Sequence, residues 1–217
     1  MEIELKFQVV ESFTKDRIFN DRHLLSLSGG KGPETVVMKA VYLATEDRQL
    51  LRREIAFRVR QEDERLVATL KWGGDAENGL HTRDELNATV DQAFLQEPSL
   101  EIFRGSGIYE EACLQLEGKR LLPVMEMEFS RRQMHVDTGK SISMLSYDEG
   151  EIRTVCGNEP ISELEIELYS GDQEDMVALG TELAAKYNLK AGNKSKYQRG
   201  LELLGIRKQN ESENEIE

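Results

Sequence analysis

Glu163-Leu-Glu165-Ile-Glu167 places three carboxylates at alternate positions, and Glu2-Ile-Glu4-Leu-Lys6 repeats the pattern at the start of the chain. On a strand, successive side chains point to opposite faces, so each set shares one face. Such glutamates sit roughly 6–7 Å apart, and they repel one another unless solvent or a cation intervenes. Oxygen-only carboxylate clusters suit Mg²⁺ or Mn²⁺ rather than zinc. Other stretches of the same periodicity are cationic: Arg58 and Arg60 share a face, Lys71 shares one with Thr69, and Arg83 aligns with Glu85 and Asn87. Arginine and lysine clusters suit phosphate, and arginine can grip two oxygens at once. Carboxylate and cationic faces together describe a site for a metal-chelated polyphosphate. The same faces also fit the solvated side of an antiparallel sheet, and both readings stand on spacing alone.

The elements that would position these residues are mostly strands. Apolar partners alternate with the charges: Ile3, Leu5 and Phe7 against Glu2, Glu4 and Lys6; Phe57 and Val59 against Arg58 and Arg60; Leu164, Ile166 and Leu168 against the three glutamates. Further strands are expected over Val36–Ala44, Leu66–Lys71, His81–Thr89, Pro123–Val136 and Ser141–Tyr147, with a turn or break at Asp148-Glu-Gly150 before Ile152–Val155. Helices are expected over Glu11–Leu27, Val90–Phe103, Ser106–Gly118 and from Asp172 to about Leu189. A last short helix around Ser195–Leu204 carries Lys196 and Arg199. About eight strands with helical inserts make a β-rich barrel or sandwich. A barrel charged inside and partly covered outside satisfies both faces of every strand.

The composition narrows the function further. The chain has 217 residues and a formal net charge of −13, which argues against non-specific nucleic-acid binding. A cleft of local positive sign still admits a small anion. No stretch approaches the roughly 18 apolar residues of a membrane span, and the acidic start is unlike a signal peptide, so a cytoplasmic protein is expected. Cys113 and Cys156 have no metal-ligand spacing, and they are expected as free thiols. The glycine-rich Ser28–Glu34 is not a P-loop, because its lysine lacks the following Ser or Thr. His23, His81 and His135 are read as surface or strand residues. Residues 206–217 form an acidic tail expected to be disordered.

In order along the chain, Glu2-x-Glu4-x-Lys6, Tyr42, Phe57-Arg58-Val59-Arg60, Thr69-Leu-Lys71, Gly79–Glu85, Phe129-Ser-Arg131, Asp148-Glu-Gly150, Glu163-x-Glu165-x-Glu167 and Ser195-Lys196-Tyr-Gln-Arg199-Gly200 resemble the CYTH proteins, also called triphosphate tunnel metalloenzymes. The resemblance spans residues 1–205, a single tunnel domain, and looks closest to the bacterial inorganic triphosphatases. It implies an eight-stranded antiparallel barrel with flanking helices and Mg²⁺- or Mn²⁺-dependent hydrolysis of triphosphate to diphosphate and phosphate. It implies that Lys6, Arg58, Arg60, Lys71, Arg83, Arg131 and Lys196 hold phosphate. Glu2, Glu4, Asp148, Glu165 and Glu167 would hold or orient metal, and Tyr42, Glu85 and Glu163 would support them. Glu4, Lys6, Glu165 and Glu167 are the expected catalytic set.

The expected partner is a small anionic triphosphate, without nucleic acid or membrane, for a monomer or homodimer. A thiamine triphosphatase and a class IV-type adenylyl cyclase share the tunnel, and a non-catalytic polyphosphate- or nucleotide-binding module is the reading from another class. The family often has an acid soon after the tyrosine of the second strand, but Tyr42-Leu-Ala-Thr45 offers none. Motif order favours Arg131 for the tunnel, whereas parity with Glu126 and Glu128 favours Arg132. A β-bulge would reconcile the two.

Overall fold

A computed structural model describes residues 1–10 and 14–206. The strands are β1 (Glu2–Gln8), β2 (Glu34–Thr45), β3 (Ala56–Glu62), β4 (Arg65–Glu77), β5 (Leu80–Val90), β6 (Leu121–Asp137), β7 (Ser141–Thr154) and β8 (Gly157–Gly171), plus the two-residue β9 (Lys190–Ala191). Their order runs β5-β4-β3-β2-β6-β7-β8-β1, and β1 also pairs with β5, which closes an eight-stranded barrel. The pairings around the ring are antiparallel. Closure removes the open edges that an isolated sheet would present.

Alternation sorts the side chains as the sequence predicts. The apolar set Leu5, Phe7, Leu145, Tyr147, Leu164 and Ile166 faces outward, beneath α1 (Thr14–Phe19), α2 (Arg22–Leu27) and α4 (Gln173–Tyr187), which contribute Ile18, Phe19, Leu24, Met176, Leu179 and Leu183. On the opposite side, Phe57, Val59, Ala68 and Leu70 pack against Leu50 of α3 (Gln49–Arg52) and against Leu100, Phe103, Tyr109, Cys113 and Leu116 of the connection after β5. Burying each such side chain is worth about 1.5–3 kcal/mol, so both covered outer faces hold the barrel shut while its interior stays charged. A third cluster lies inside, where Met38, Ala40, Tyr42, Met125, Met127 and Phe129 meet Tyr197 and Leu201 of α5 (Lys196–Leu203). Gly200 permits this approach, because a Cβ there would lie 2.5 Å from Met125 Sδ.

Several local expectations are corrected. The helix expected over Glu11–Leu27 is two, because Asp21 stops α1 and caps α2 through the His23 and Leu24 amides; Glu11–Phe13 lie outside the described residues, as does the tail from residue 207. Val90 ends β5, and the helix expected over Val90–Phe103 is two 3-10 turns, Gln92–Leu95 and Leu100–Phe103, started separately by Asp91 and Ser99. The next segment is helical over residues 107–116, but its bonding widens to a π-turn at Tyr109–Cys113 and tightens to 3-10 at Leu114–Leu116. Asp148-Glu-Gly150 is no break. β7 runs through it because Gly150 lets the β6 backbone come close: a Cβ there would lie 2.1 Å from the Glu128 carbonyl oxygen.

Candidate active site

The cavity inside the barrel occupies about 810 Å³, open mouth included, and 19 residues line it. Seven are basic (Lys6, Arg58, Arg60, Lys71, Arg83, Arg131, Lys196) and five acidic (Glu2, Glu4, Glu85, Glu165, Glu167). The lining is therefore net positive inside a protein of net charge −13. Strand register brings these residues together: Glu4 lies opposite Glu167 and Lys6 opposite Glu165 across β1–β8, while Glu2 faces Arg83 across β1–β5. Arg58 is flanked by Tyr42 and Thr69, and Arg131 by Asp148.

Most of the charges neutralise one another. Lys71 Nζ lies 2.8 Å from Glu2 and 2.6 Å from Glu85, and Arg83 reaches Glu2 at 2.6 Å and Glu4 at 2.9 Å. Glu165 takes Lys6 at 2.5 Å and both Lys196 and Arg131 at 2.7 Å. Burial opposes ionisation of Glu165, yet Lys196, Lys6 and Arg131 hold its carboxyl well below the usual range. Burial likewise works against Glu2, and Lys71 and Arg83 overcome it.

Two regions are unbalanced, with opposite sign. Glu167 makes no ion pair or side-chain hydrogen bond with the described residues, and burial together with Glu2 and Glu4 pushes its carboxyl up to about 7. On the other wall, Arg58 makes a long hydrogen bond, 3.4 Å to Thr69, and interacts with the Tyr42 hydroxyl, while the buried Nε atoms of Arg58 and Arg60 lack partners among the described residues. Arg60 pairs with Glu62, but burial and the adjacent Arg58 charge pull its guanidinium down to about 10. Burial pushes the Tyr42 phenol up; Arg58, Lys71 and Arg83 outweigh it and bring the phenol below its ordinary value. The cavity thus has an acidic wall that attracts a cation and a basic wall that attracts an anion.

Not every expected site residue reaches the cavity surface. Asp148 shares the inner face with Arg131 across β6–β7 but is completely buried and not part of the cavity lining, with Arg131 Nε and Nη2 at 2.7 Å and Lys196 Nζ at 2.8 Å. Glu163 is buried beside it, 2.9 Å from Lys196 and paired with Arg199, whose Nε reaches Glu159 at 2.5 Å. Both acids orient cations that line the cavity. Arg131 faces inward and Arg132 outward, where Arg132 pairs with Asp16 at 2.8 Å. No bulge is needed at that point. Met125, Met127, Phe129 and Arg131 share the inner face, whereas Glu126 and Glu128 face out, the latter toward Lys39 and Arg153. The register of β6 does shift, but beside Leu43, far from Arg131.

Sequence reasoning passed over three residues of this network. His81 is buried, and its Nε2 lies 2.7 Å from the Gly192 carbonyl oxygen, tying the segment before α5 to β5. Tyr197 stacks on Tyr42 with ring centroids 5.0 Å apart. Glu159 holds Arg199. The Ser195-x-x-Gln198 capping box does mark the start of the helix that carries Lys196 and Tyr197.

A family model, the CYTH domain, matches residues 1–201. The chain belongs to the CYTH family. The inorganic triphosphatase of Haemophilus influenzae is 32% identical over 164 residues, which cover 76% of this chain and 45% of that protein. The chain thus spans less than half the length of this relative. Among solved structures, a candidate adenylyl cyclase from Hippeastrum with a dominant triphosphatase activity is similar at TM-score 0.70 and 17% identity, covering 95% of this chain and 97% of that one. A candidate adenylate cyclase from Bacillus halodurans follows at TM-score 0.58 and 20% identity, over 92% and 96% of the two chains. At these identities the structural likeness establishes the CYTH barrel fold. Among the described residues, no helix is long and apolar enough to cross a membrane.

Proposed function

We propose that this CYTH chain hydrolyses inorganic triphosphate to diphosphate and phosphate with a divalent metal. The observation that carries the reading is the sorting of charge inside one cavity: Glu167, without a partner among the described residues, beside Glu2 and Glu4, against Arg58 and Arg60, whose Nε atoms have none among them either. A metal–triphosphate complex carries both complementary charges. The resemblance to a bacterial inorganic triphosphatase supports the same substrate.

The residues fit the metal in donor chemistry. Glu2, Glu4 and Glu167 are oxygen donors, and the raised Glu167 carboxyl marks excess negative charge that a hard cation relieves. In the present side-chain arrangement no three described acids converge on one ion position. Glu2 and Glu4 are turned toward Lys71 and Arg83. Mg²⁺ or Mn²⁺ held by Glu2, Glu4 and Glu167, with Glu165 adjacent, would supply charge neutralisation for phosphate oxygens and polarisation of the attacking water.

The chain itself does the positioning, which is the main demand of phosphoryl transfer. Arg58 and Arg60 receive phosphate oxygens without first breaking a strong ion pair on Arg58. Arg131 and Lys196, fixed by Asp148 and Glu165, hold the phosphate chain in line for attack. Lys6, Lys71 and Arg83 exchange their carboxylate partners for phosphate and stabilise charge on the departing diphosphate.

The test is a panel of tripolyphosphate, thiamine triphosphate and ATP with Mg²⁺ or Mn²⁺, measuring phosphate release and cyclic AMP. Rapid phosphate release from tripolyphosphate is expected, abolished by chelation. If all three substrates stay intact, the proposal fails; cyclic AMP without phosphate release would favour a cyclase.

A further inference from the structure

Tyr197 presents a chemical anomaly that the charges around it do not explain. Its hydroxyl is buried and has no hydrogen-bond partner among the described residues, although the residue lines the cavity. The other neutral hydroxyl in this condition among the described residues, on Ser143, is not part of the cavity wall. A phenylalanine at 197 would keep the 5.0 Å stack on Tyr42 and leave no polar atom stranded. Tyrosine is therefore the costlier choice for the ligand-free protein, because a buried donor without an acceptor loses its hydration and gains nothing. That cost is offset only when something entering the cavity accepts the hydrogen bond.

The surroundings define the acceptor. The cavity that Tyr197 lines carries seven basic side chains against five acidic ones, and its stacking partner Tyr42 lies opposite Arg58 across β2–β3. An anionic oxygen is the acceptor that such a lining admits.

We propose that the Tyr197 hydroxyl donates a hydrogen bond to a phosphate oxygen of the bound anion. This makes Tyr197 a ligand-contacting residue, and it rests on the triphosphate reading of the cavity.

The test is Tyr197→Phe, measured by calorimetric titration with inorganic tripolyphosphate and by thermal unfolding with and without it. Tripolyphosphate binding weakens about tenfold or more, as expected for a lost hydrogen bond to a charged partner. The ligand-free variant melts no lower than the wild type, and its ligand-induced stabilisation shrinks. A structural hydrogen bond would reverse the sign of the ligand-free result. Weakening of less than fivefold, or a ligand-free variant that melts several degrees lower, overturns the inference while leaving the triphosphatase reading intact. Failure of the wild type to bind tripolyphosphate overturns both.

Discussion

Replacing Asp148 by asparagine separates two roles that a buried acid in this cavity can play. Asp148 has no exposure, and it takes bonds of 2.7, 2.7 and 2.8 Å from Arg131 and Lys196. Asparagine keeps the volume but removes the charge, leaving two buried cations short of one counter-ion. Breaking one side of a buried ion pair costs about 3–5 kcal/mol. Glu165 and Glu163 still neutralise part of the charge at 2.7–2.9 Å, which places the expected loss near the lower end, about 3 kcal/mol. For a chain of this size each kcal/mol moves the melting temperature by about 2–4 °C, so a drop of roughly 6–12 °C is expected. Differential scanning calorimetry of the ligand-free variant measures it, with urea unfolding as an independent check. If Asp148 were instead a metal ligand held among like charges, its neutralisation would leave the ligand-free protein as stable or more so, and would weaken metal affinity. An unchanged or raised melting temperature refutes the positioning argument.

Three other outcomes follow from the geometry. Arg58→Met should leave stability within about 1 kcal/mol, since Arg58 has no ion pair among the described residues, while tripolyphosphate affinity falls tenfold or more; calorimetry reads both. Hydrogen bonds from Lys186, Tyr187 and the His23 and Leu24 amides outweigh burial and hold the Asp21 carboxyl at about 2, below the ordinary 3.8. A depressed carboxyl stabilises the fold above its unfolded value and loses that contribution as pH falls through the folded one. The stability advantage of wild type over Asp21→Asn should therefore be full above about pH 4 and fade toward pH 2 in acid unfolding curves. Gly150→Ala should destabilise the barrel by several kcal/mol, because the new Cβ would sit 2.5 Å from Phe129 Cα and 2.1 Å from the Glu128 carbonyl oxygen; urea denaturation gives the value.

The charged inner faces were legible because each comprises two or three residues at strict alternation opposite apolar partners that meet helices outside. β6 was harder, for a physical reason. Its buried positions switch faces midway: Met125, Met127 and Phe129 fill the interior, whereas Met134 and Val136 pack outside beneath the helices. A polar–apolar pattern assumes one buried face, so it misassigned Glu126 and Glu128 and made Arg131 look out of register. Asp148-Glu-Gly150 carries the composition of a turn, and only the neighbouring backbone of Phe129 reveals why the glycine belongs in a continuous strand. The contacts of His81 with Gly192, and of Arg199 with Glu159 and Glu163, join residues far apart in sequence and leave no periodic trace.

The double pairing of β1 has a kinetic consequence. Residues 2–5 bond to residues 80–83 on one edge, and residues 4–8 bond to residues 163–167 on the other. β1 therefore gains its second neighbour only once β8, the last of the eight barrel strands in chain order, is in place. Loop closure over such separations slows folding. Until β8 arrives, Glu4 and Lys6 remain hydrated, and the apolar backs of Leu5 and Phe7 lack their Leu164 and Ile166 neighbours. Assembly of the charged pocket and sealing of the barrel are then one late event: a chain stalled before β8 would have neither.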